Sequence, residues 1–240
     1  MSRTSTPLPS GDEKVAAVRS MFDTIAPRYD LVNRVMTFRM DVGWRRRAVG
    51  ALGLGPGSVV LDVAAGTGDL CLDLVRDGYR PVGVDLSMGM LQHAHTAAPL
   101  VQGDALRLPV GDALVDGAVS GFALRNFVDL CAVFDELARV VRPGGRVALL
   151  DVASPSNPVL RMGHAVYFGH VVPRIGGLLS DPAAYRYLPK SVAYLPSPSV
   201  MLDHLRAAGF GAVSRQLLSG GIAQLICATR RVSTAAEAGG

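Results

Sequence analysis

The residues able to do chemistry gather in one stretch, Val60 to Leu70, VLDVAAGTGDL. An apolar run carrying Asp62 ends in the turn Gly66-Thr67-Gly68, and Asp69 follows at once. Gly66 and Gly68 let the chain turn sharply and bring backbone close to a ligand with no Cβ in the way. The helix that opens after the turn presents its free N–H groups to that ligand. An apolar strand, a glycine turn and flanking acids together build a pocket for a nucleoside cofactor at the carboxyl end of a parallel strand.

A glycine turn serves dinucleotides and S-adenosylmethionine (SAM) alike. Three details favour SAM. The third position of the dinucleotide pattern is Cys71, so the close helix–strand packing of that motif is not signalled. Asp62 and Asp69 would repel a pyrophosphate and attract a sulfonium and an ammonium. The next strand ends at Asp85, placed to accept hydrogen bonds from both ribose hydroxyls, although a helix N-cap would explain the same residue.

No other cluster competes. His93 and His95 are spaced i,i+2 and do not share a helix face, so they read as solvent-facing and no metal is expected. His164 and His170 fit surface or packing roles better than that of a base, although histidine suits proton transfer near neutral pH. Cys71, Cys131 and Cys227 lie far apart, which fits a reducing cytoplasm and small core positions. There is no apolar leader at the N-terminus.

The elements that must position these residues follow the hydrophobic rhythm. Helices are expected at Glu13 to Ile25 and at about Val42 to Leu52, with mixed signals from Tyr29 to Met40. Strands are expected at Val59–Val63, Pro81–Val84, Leu100–Gln102, Gly117–Ser120 and Arg146–Val152. Helices at Leu70–Arg76, Met88–Ala97 and Ala132–Val141 alternate with them. A further helix, Val200–Ala208, precedes a final pair of strands, Val213–Leu218 and Ala223–Thr229, joined near Gly220-Gly221. This alternation predicts an α/β, Rossmann-like, doubly wound sheet of seven mostly parallel strands. The N-terminal helices and a cap of about 157–198 are added to it. One domain, 13–230, lies between flexible tails at 1–12 and 231–240. The chain is 49% hydrophobic with a net charge of +4, so it has material for a large core. A weakly basic balance allows contact with an anionic membrane without arguing for it. Val159 to Leu179 is too broken by charges, proline and glycine to span a bilayer.

Several blocks together resemble one family, the quinone C-methyltransferases that act on demethylmenaquinol and the corresponding ubiquinone precursor. They are MFDTIAPRYDLVN from Met21, WRRRAV from Trp44, VLDVAAGTGDL, GVDLSMGML from Gly83 and GDALRLPV from Gly103. GFALRNFVD from Gly121, RVVRPGGRVALLD from Arg139, YRYLPKSV from Tyr185 and LLSGGIAQL from Leu217 complete the set. The resemblance implies SAM bound by Asp62, Gly66, Thr67, Gly68 and Asp85, with Asp104 and Ala105 framing the adenine and Gly121 beside the cofactor. It implies Arg125 and Asn126 as residues that orient the quinol oxygens or a water, with Tyr29 as lid and proton relay. A salt bridge from Arg125 to Asp129 or Asp151 stands beside that role, and a half-buried structural tyrosine beside Tyr29's. It further implies a hydrophobic quinol partner, a cytoplasmic location with contact at the inner membrane face, and no nucleic acid. The chain departs from the family at Gly121, where some members carry serine, at Ala123 for glycine, after Asp151 and at Lys190. These departures line the substrate side.

The alternatives are a nicotinamide oxidoreductase, a nucleic-acid methyltransferase, a SAM-fold module without catalysis, and a methyltransferase of another aromatic acceptor. The first is opposed by Asp62 and Cys71. The second lacks the blocks that attack nucleobases. The third conflicts with intact cofactor residues. The last needs only a different cap. The expected activity is methylation of demethylmenaquinol to menaquinol.

Overall fold

The computed structural model describes residues 11–172, 174, 181 and 191–232. Seven strands form one sheet: β1 (Val59–Val63), β2 (Arg80–Asp85), β3 (Leu100–Gln102), β4 (Val115–Gly121), β5 (Val141–Val152), β6 (Phe210–Leu218) and β7 (Ala223–Arg230). Their order is β3-β2-β1-β4-β5-β7-β6. The first five run parallel, and β7 is antiparallel to both β5 and β6. The order reverses between β1 and β4, so their carboxyl ends part and leave a crevice.

Both faces of the sheet are covered, which is why β1 is apolar at successive positions rather than alternately. Leu61, Ala118, Leu149 and Ile226 pack on one side with Phe134 and Leu137 of α6 (Leu130–Val140). Met201 and Leu205 of α8 (Pro198–Ala207) join them. Val60, Val119, Ala148 and Leu225 face the other way, onto Trp44, Val49 and Leu52 of α3 (Met40–Leu52) and Leu70 and Leu74 of α4 (Asp69–Arg76). Where two backbones close in, only glycine fits. A Cβ on Gly117 would stand 2.7 Å from the Arg146 carbonyl oxygen and 2.8 Å from Leu54.

The N-terminal helices α1 (Gly11–Ile25) and α2 (Tyr29–Met36) pack over the carboxyl edge through Ile25, Val32 and Met36, which meet Met90 of α5 (Met88–Gln92). The segment with mixed signals thus holds a helix, then a tight turn in which Phe38 and Arg39 both take positive φ, 51° and 62°. Helix α1 begins two residues before the expected start, inside the expected tail. The rest of both tails, save Arg231 and Val232, lies outside the described residues, as do residues 173, 175–180 and 182–190 of the cap. What is described of the cap is α7 (Pro158–Val166), a π turn over Tyr167–Val171 and a short 3-10 turn, Val192–Tyr194.

Two expected elements differ most in length. Helix α5 stops at Gln92 instead of Ala97, because the His95 amide donates to the Thr67 carbonyl and draws the chain toward the glycine turn. Strand β5 starts at Val141, not Arg146, because Val141 pairs with Val115 before a bulge resets the register to Gly117 and Arg146.

Candidate active site

At the crevice the strands end in strained backbone. Ala64 after β1 and Phe122 after β4 each take φ of 60°. Left-handed non-glycine residues of this kind are held only where surrounding structure over-determines them. Phe122 is held by its amide, which donates to Leu150, and by its carbonyl, which accepts from Arg125 Nη1 at 2.7 Å.

A cavity lies on one side of Phe122. Gly66, Asp85, Ser87, Asp104, Ala105 and Gly121 line it from the sheet, Met90 and Leu106 flank it, and Val15, Val18 and Phe22 of α1 roof it. Asp85 accepts from the Gly66 amide at 2.7 Å and the Ser87 amide at 2.8 Å. Burial nevertheless raises its pKa. One Asp104 oxygen accepts from the Leu106 amide at 2.9 Å. A Cβ on Gly66 would meet nothing within 4 Å, so the turn opens on space. Carboxylates at two strand ends, an apolar slot and open backbone suit a nucleoside with a cationic tail.

A second cavity, about 360 Å³, lies on the other side and shares Phe22, Tyr29 and Phe122 with the first. Its walls are apolar: Met36, Phe38, Trp44, Leu160, Tyr167 and Ile222. Arg125, Asn33, Thr37, Asp41 and Ser219 are among the polar groups that reach it, and Trp44 Nε1 donates to Ser219 Oγ at 2.8 Å. Arg125 is 7% exposed and pairs with Asp151, which is fully buried. The structural partner weighed in the sequence is therefore real, and it holds the guanidinium at the cavity wall. Asn126 lines the first cavity. Among the described residues its Nδ2 reaches only the Phe122 carbonyl, at 3.5 Å, and its buried Oδ1 has no partner. Tyr29 borders both cavities, edge-on to Phe22, and burial raises its phenol pKa. The three catalytic-side candidates thus come together around Phe122.

Of the cofactor candidates, Gly66, Asp85, Asp104, Ala105 and Gly121 line the first cavity, and three others lie behind it. Thr67 Oγ1 donates to Asp30 at 2.7 Å, tying α2 to the glycine turn. Gly68, at φ 85°, is the residue before α4. Asp62 is fully buried under the turn; Cys71 Sγ donates to one oxygen at 3.4 Å and the other has no partner. Burial pushes the Asp62 carboxyl up to about 7. Of the cysteines only Cys71 is buried; Cys131 is exposed. His95 is exposed as expected, yet its ring bridges Asp69 at 3.0 Å and Asp30 at 3.4 Å. Among the described residues no group of three or more His, Cys, Asp or Glu is placed to hold a metal.

Sequence reasoning missed Lys14. It is 3% exposed, and its Nζ donates to the Phe127 carbonyl at 2.7 Å and the Arg125 carbonyl at 3.2 Å. It also stands 3.7 Å above the centre of the Tyr194 ring. No carboxylate pairs with it among the described residues, and burial lowers its pKa to about 8. The signal was available. Lys14, Val18, Met21 and Ile25 fall at i, i+4, i+7 and i+11, so a lysine occupies the apolar stripe of α1.

Sheet order, strained strand ends and acid-lined crevice define a class I SAM-dependent methyltransferase. Solved structures agree on the fold. A SAM-dependent methyltransferase of Thermotoga maritima superposes with a TM-score of 0.63 at 18% identity, covering 89% of this chain and 99% of its own. Phosphoethanolamine N-methyltransferase 2 of Haemonchus contortus, solved with SAM, gives 0.59 at 14% identity over 78% of this chain and 52% of its own. The ubiE/COQ5 methyltransferase family model matches residues 10–230, and the chain belongs to that family. Among its relatives, the Ubiquinone/menaquinone biosynthesis C-methyltransferase UbiE of Syntrophotalea carbinolica is 41% identical, over 88% of this chain and 93% of its own. The demethylmenaquinone methyltransferase of Roseiflexus castenholzii is also 41% identical, over 93% and 98%.

Proposed function

We propose that this methyltransferase transfers a methyl group from SAM to a ring carbon of a reduced prenylated quinone, demethylmenaquinol, giving menaquinol. The observation that carries the reading is the pair of cavities meeting at Phe122 and Tyr29, one edged with acids and one apolar with a single fixed guanidinium. The residues present suit SAM: Asp85 to accept from ribose, Asp104 and Ala105 to frame the base, Gly66 and Gly121 to admit it closely. In this reading Thr67, Gly68 and Asp62 act from behind the cavity by fixing the turn and its charge. SAM, when bound, supplies a methyl already activated by its sulfonium.

The protein's part is to align the ring carbon in line with the breaking C–S bond and to exclude water. Arg125, immobilised by Asp151, donates to a quinol oxygen and favours its ionised form, which makes the neighbouring carbon more nucleophilic. Asn126 has an acceptor free for a quinol hydroxyl or an ordered water. Tyr29 stays protonated, because burial raises its pKa, and closes the junction as lid. A bound SAM would supply the methyl and keep the electron pair of the broken C–S bond as its thioether, and Tyr29 and water would carry off the ring proton. No metal enters this scheme. In this reading the protein works from the cytoplasm, in peripheral contact with the inner face of the membrane that would hold a prenylated acceptor.

The test is methyl transfer from labelled SAM to chemically reduced demethylmenaquinone, read by mass spectrometry. One methyl gained on the ring, and none without reductant, is expected. Arg125→Ala should lose turnover and still bind SAM. Normal turnover by that variant would remove Arg125 from the site. No transfer by the wild type while SAM still binds would move the acceptor to another aromatic molecule.

A further inference from the structure

Helices α2 and α7 carry apolar stripes that nothing among the described residues covers. Leu31, Val35 and Phe38 follow at i, i+4 and i+7 and are 56%, 39% and 70% exposed. Val159, Met162 and Val166 follow at i, i+3 and i+7 and are 71%, 67% and 54% exposed. The Phe38 ring lies 5.7 Å from that of Tyr167, so the stripes join into one surface. Phe38 and Val159 also line the apolar cavity, so its mouth opens within that surface. Consecutive left-handed residues are an unfavourable way to build the turn at Phe38 and Arg39, and this turn thrusts an aromatic ring and a cation outward side by side.

The charge around the patch has one sign. From Tyr29 to Leu52 and from Pro158 to Val166 the exposed charged residues are Arg39, Arg46, Arg47 and Arg161. Arg46 is turned to Asp73 and Arg47 to Gln216, while Arg39 follows Phe38 and Arg161 stands between Val159 and Met162 in the chain. The only acids in those segments are Asp30 and Asp41. Asp41 is buried against Arg45, and Asp30 is engaged by Thr67 and His95. An apolar surface that carries Arg39 and Arg161 matches the boundary between anionic headgroups and acyl chains. No helix among the described residues is long and apolar enough to cross a membrane, so contact would be interfacial.

We propose that the α2–α3 turn and α7 form a docking surface for an anionic lipid bilayer, with the mouth of the acceptor cavity set against the acyl chains. The proposal rests on the reading of the acceptor as a prenylated quinol. A tail anchored in the membrane then slides into the cavity while the ring moves on to Phe122, and the chain never has to extract the whole lipid into water.

The experiment is co-sedimentation of the full-length protein with vesicles of phosphatidylcholine alone or mixed with phosphatidylglycerol. Binding to the mixed vesicles, weakening with salt, and little binding to the neutral ones is expected. Arg39→Glu and Met162→Asp lie outside both cavities. Each should weaken vesicle binding at least about fivefold, from one surface charge or one inserted side chain. Both should keep wild-type SAM affinity and turnover of a short-chain, water-soluble quinol, and should lose most turnover of a long-chain quinol presented in vesicles. Wild-type protein that ignores anionic vesicles, or variants that bind them as the wild type does, would overturn the proposal. So would sedimentation analysis showing a dimer that Met162→Asp splits while vesicles stay unbound, since the patch would then be an interface between copies. If neither quinol is methylated but vesicle binding behaves as described, the acceptor assignment fails and the docking surface stands.

Discussion

Replacing Lys14 with methionine tests how the acceptor side of the site is held. The side chain is similar in length and stays apolar along its stem, so the change removes the ammonium and little else. That ammonium grips the carbonyls on either side of Asn126, at 2.7 and 3.2 Å, and stacks on Tyr194. Without it the two buried carbonyls lose their donor, at roughly 1–3 kcal/mol each. Against this stands the burial that lowers the lysine pKa from 10.5 to about 8, a penalty of about 3 kcal/mol below pH 8 that the variant no longer carries. The two nearly cancel at pH 7, and toward pH 10, where the penalty fades, the variant is less stable by about 2–6 kcal/mol, a Tm lower by roughly 5–20 °C. The burial term also has a sign in pH. The unfolded lysine binds its proton more tightly than the folded one, so wild-type stability gains from this group between pH 8 and 10.5, and the gap between the two proteins widens there. Because the clamp fixes the turn from Arg125 to Phe127, which stands between the two cavities, kcat should fall at least about tenfold, some 1.4 kcal/mol of barrier, while SAM, held mainly by Asp85, Asp104 and the glycine turn in this reading, should keep its calorimetric affinity within about threefold. A variant with unchanged Tm at pH 10 and unchanged kcat would show that the clamp holds nothing.

The other predictions follow from single contacts. Asp62→Asn should equal or exceed wild-type stability at pH 8. The folded carboxyl titrates near 7 against 3.8 unfolded, so the ionised group destabilises the fold progressively from pH 4 to 7, by up to about 4 kcal/mol. Thermal melts across that range check the sign, and a constant difference would refute it. Asp151→Asn leaves Arg125 buried without its counter-charge and should cost about 3 kcal/mol, with kcat falling and SAM affinity held. Asp85→Asn should weaken SAM roughly tenfold or more in a binding titration and leave kcat at saturation nearly unchanged. Gly117→Ala should cost about 2 kcal/mol or more in denaturant unfolding, since its Cβ would press on the Arg146 carbonyl.

The cofactor half of the site was far more legible than the acceptor half, and the reason is physical. Asp85 and the glycine turn follow one another along the chain, and their chemistry is set by backbone that must turn at the end of a strand. Gly66 and Asp85 could therefore be set at the cavity from spacing and motif, and Asp104 and Gly121, which also line it, followed from the resemblance. The sheet was legible for the same reason: buried strands and amphipathic helices each carry their own period. The acceptor half is assembled from residues 26, 111 and 175 positions apart. Arg125 needs Asp151, Lys14 meets the Arg125 carbonyl, and Trp44 meets Ser219. Nothing local announces that Phe122 adopts a left-handed backbone, because its φ is imposed by Leu150 and Arg125 from outside. Helix α5 ended early for the same kind of reason, pulled short by a contact to Thr67.

That division has a consequence for how the chain works. Asp30 holds Thr67 of the glycine turn, while Tyr29, its neighbour, closes the junction of the two cavities. Asp23 of α1 accepts from Ser87 Oγ and the Gly89 amide, and Lys14 of the same helix grips the loop after β4. Helices α1 and α2 therefore span both halves. They cover the cofactor cavity with Val15, Val18 and Phe22 and at the same time order the acceptor loop. Opening them for cofactor exchange has to break Lys14 from the Arg125 and Phe127 carbonyls, so the acceptor loop loses its support whenever the cofactor cavity is open. A reduced quinol is readily oxidised, and if these helices close over a bound cofactor the acceptor loop would be ordered only once the methyl donor is in place.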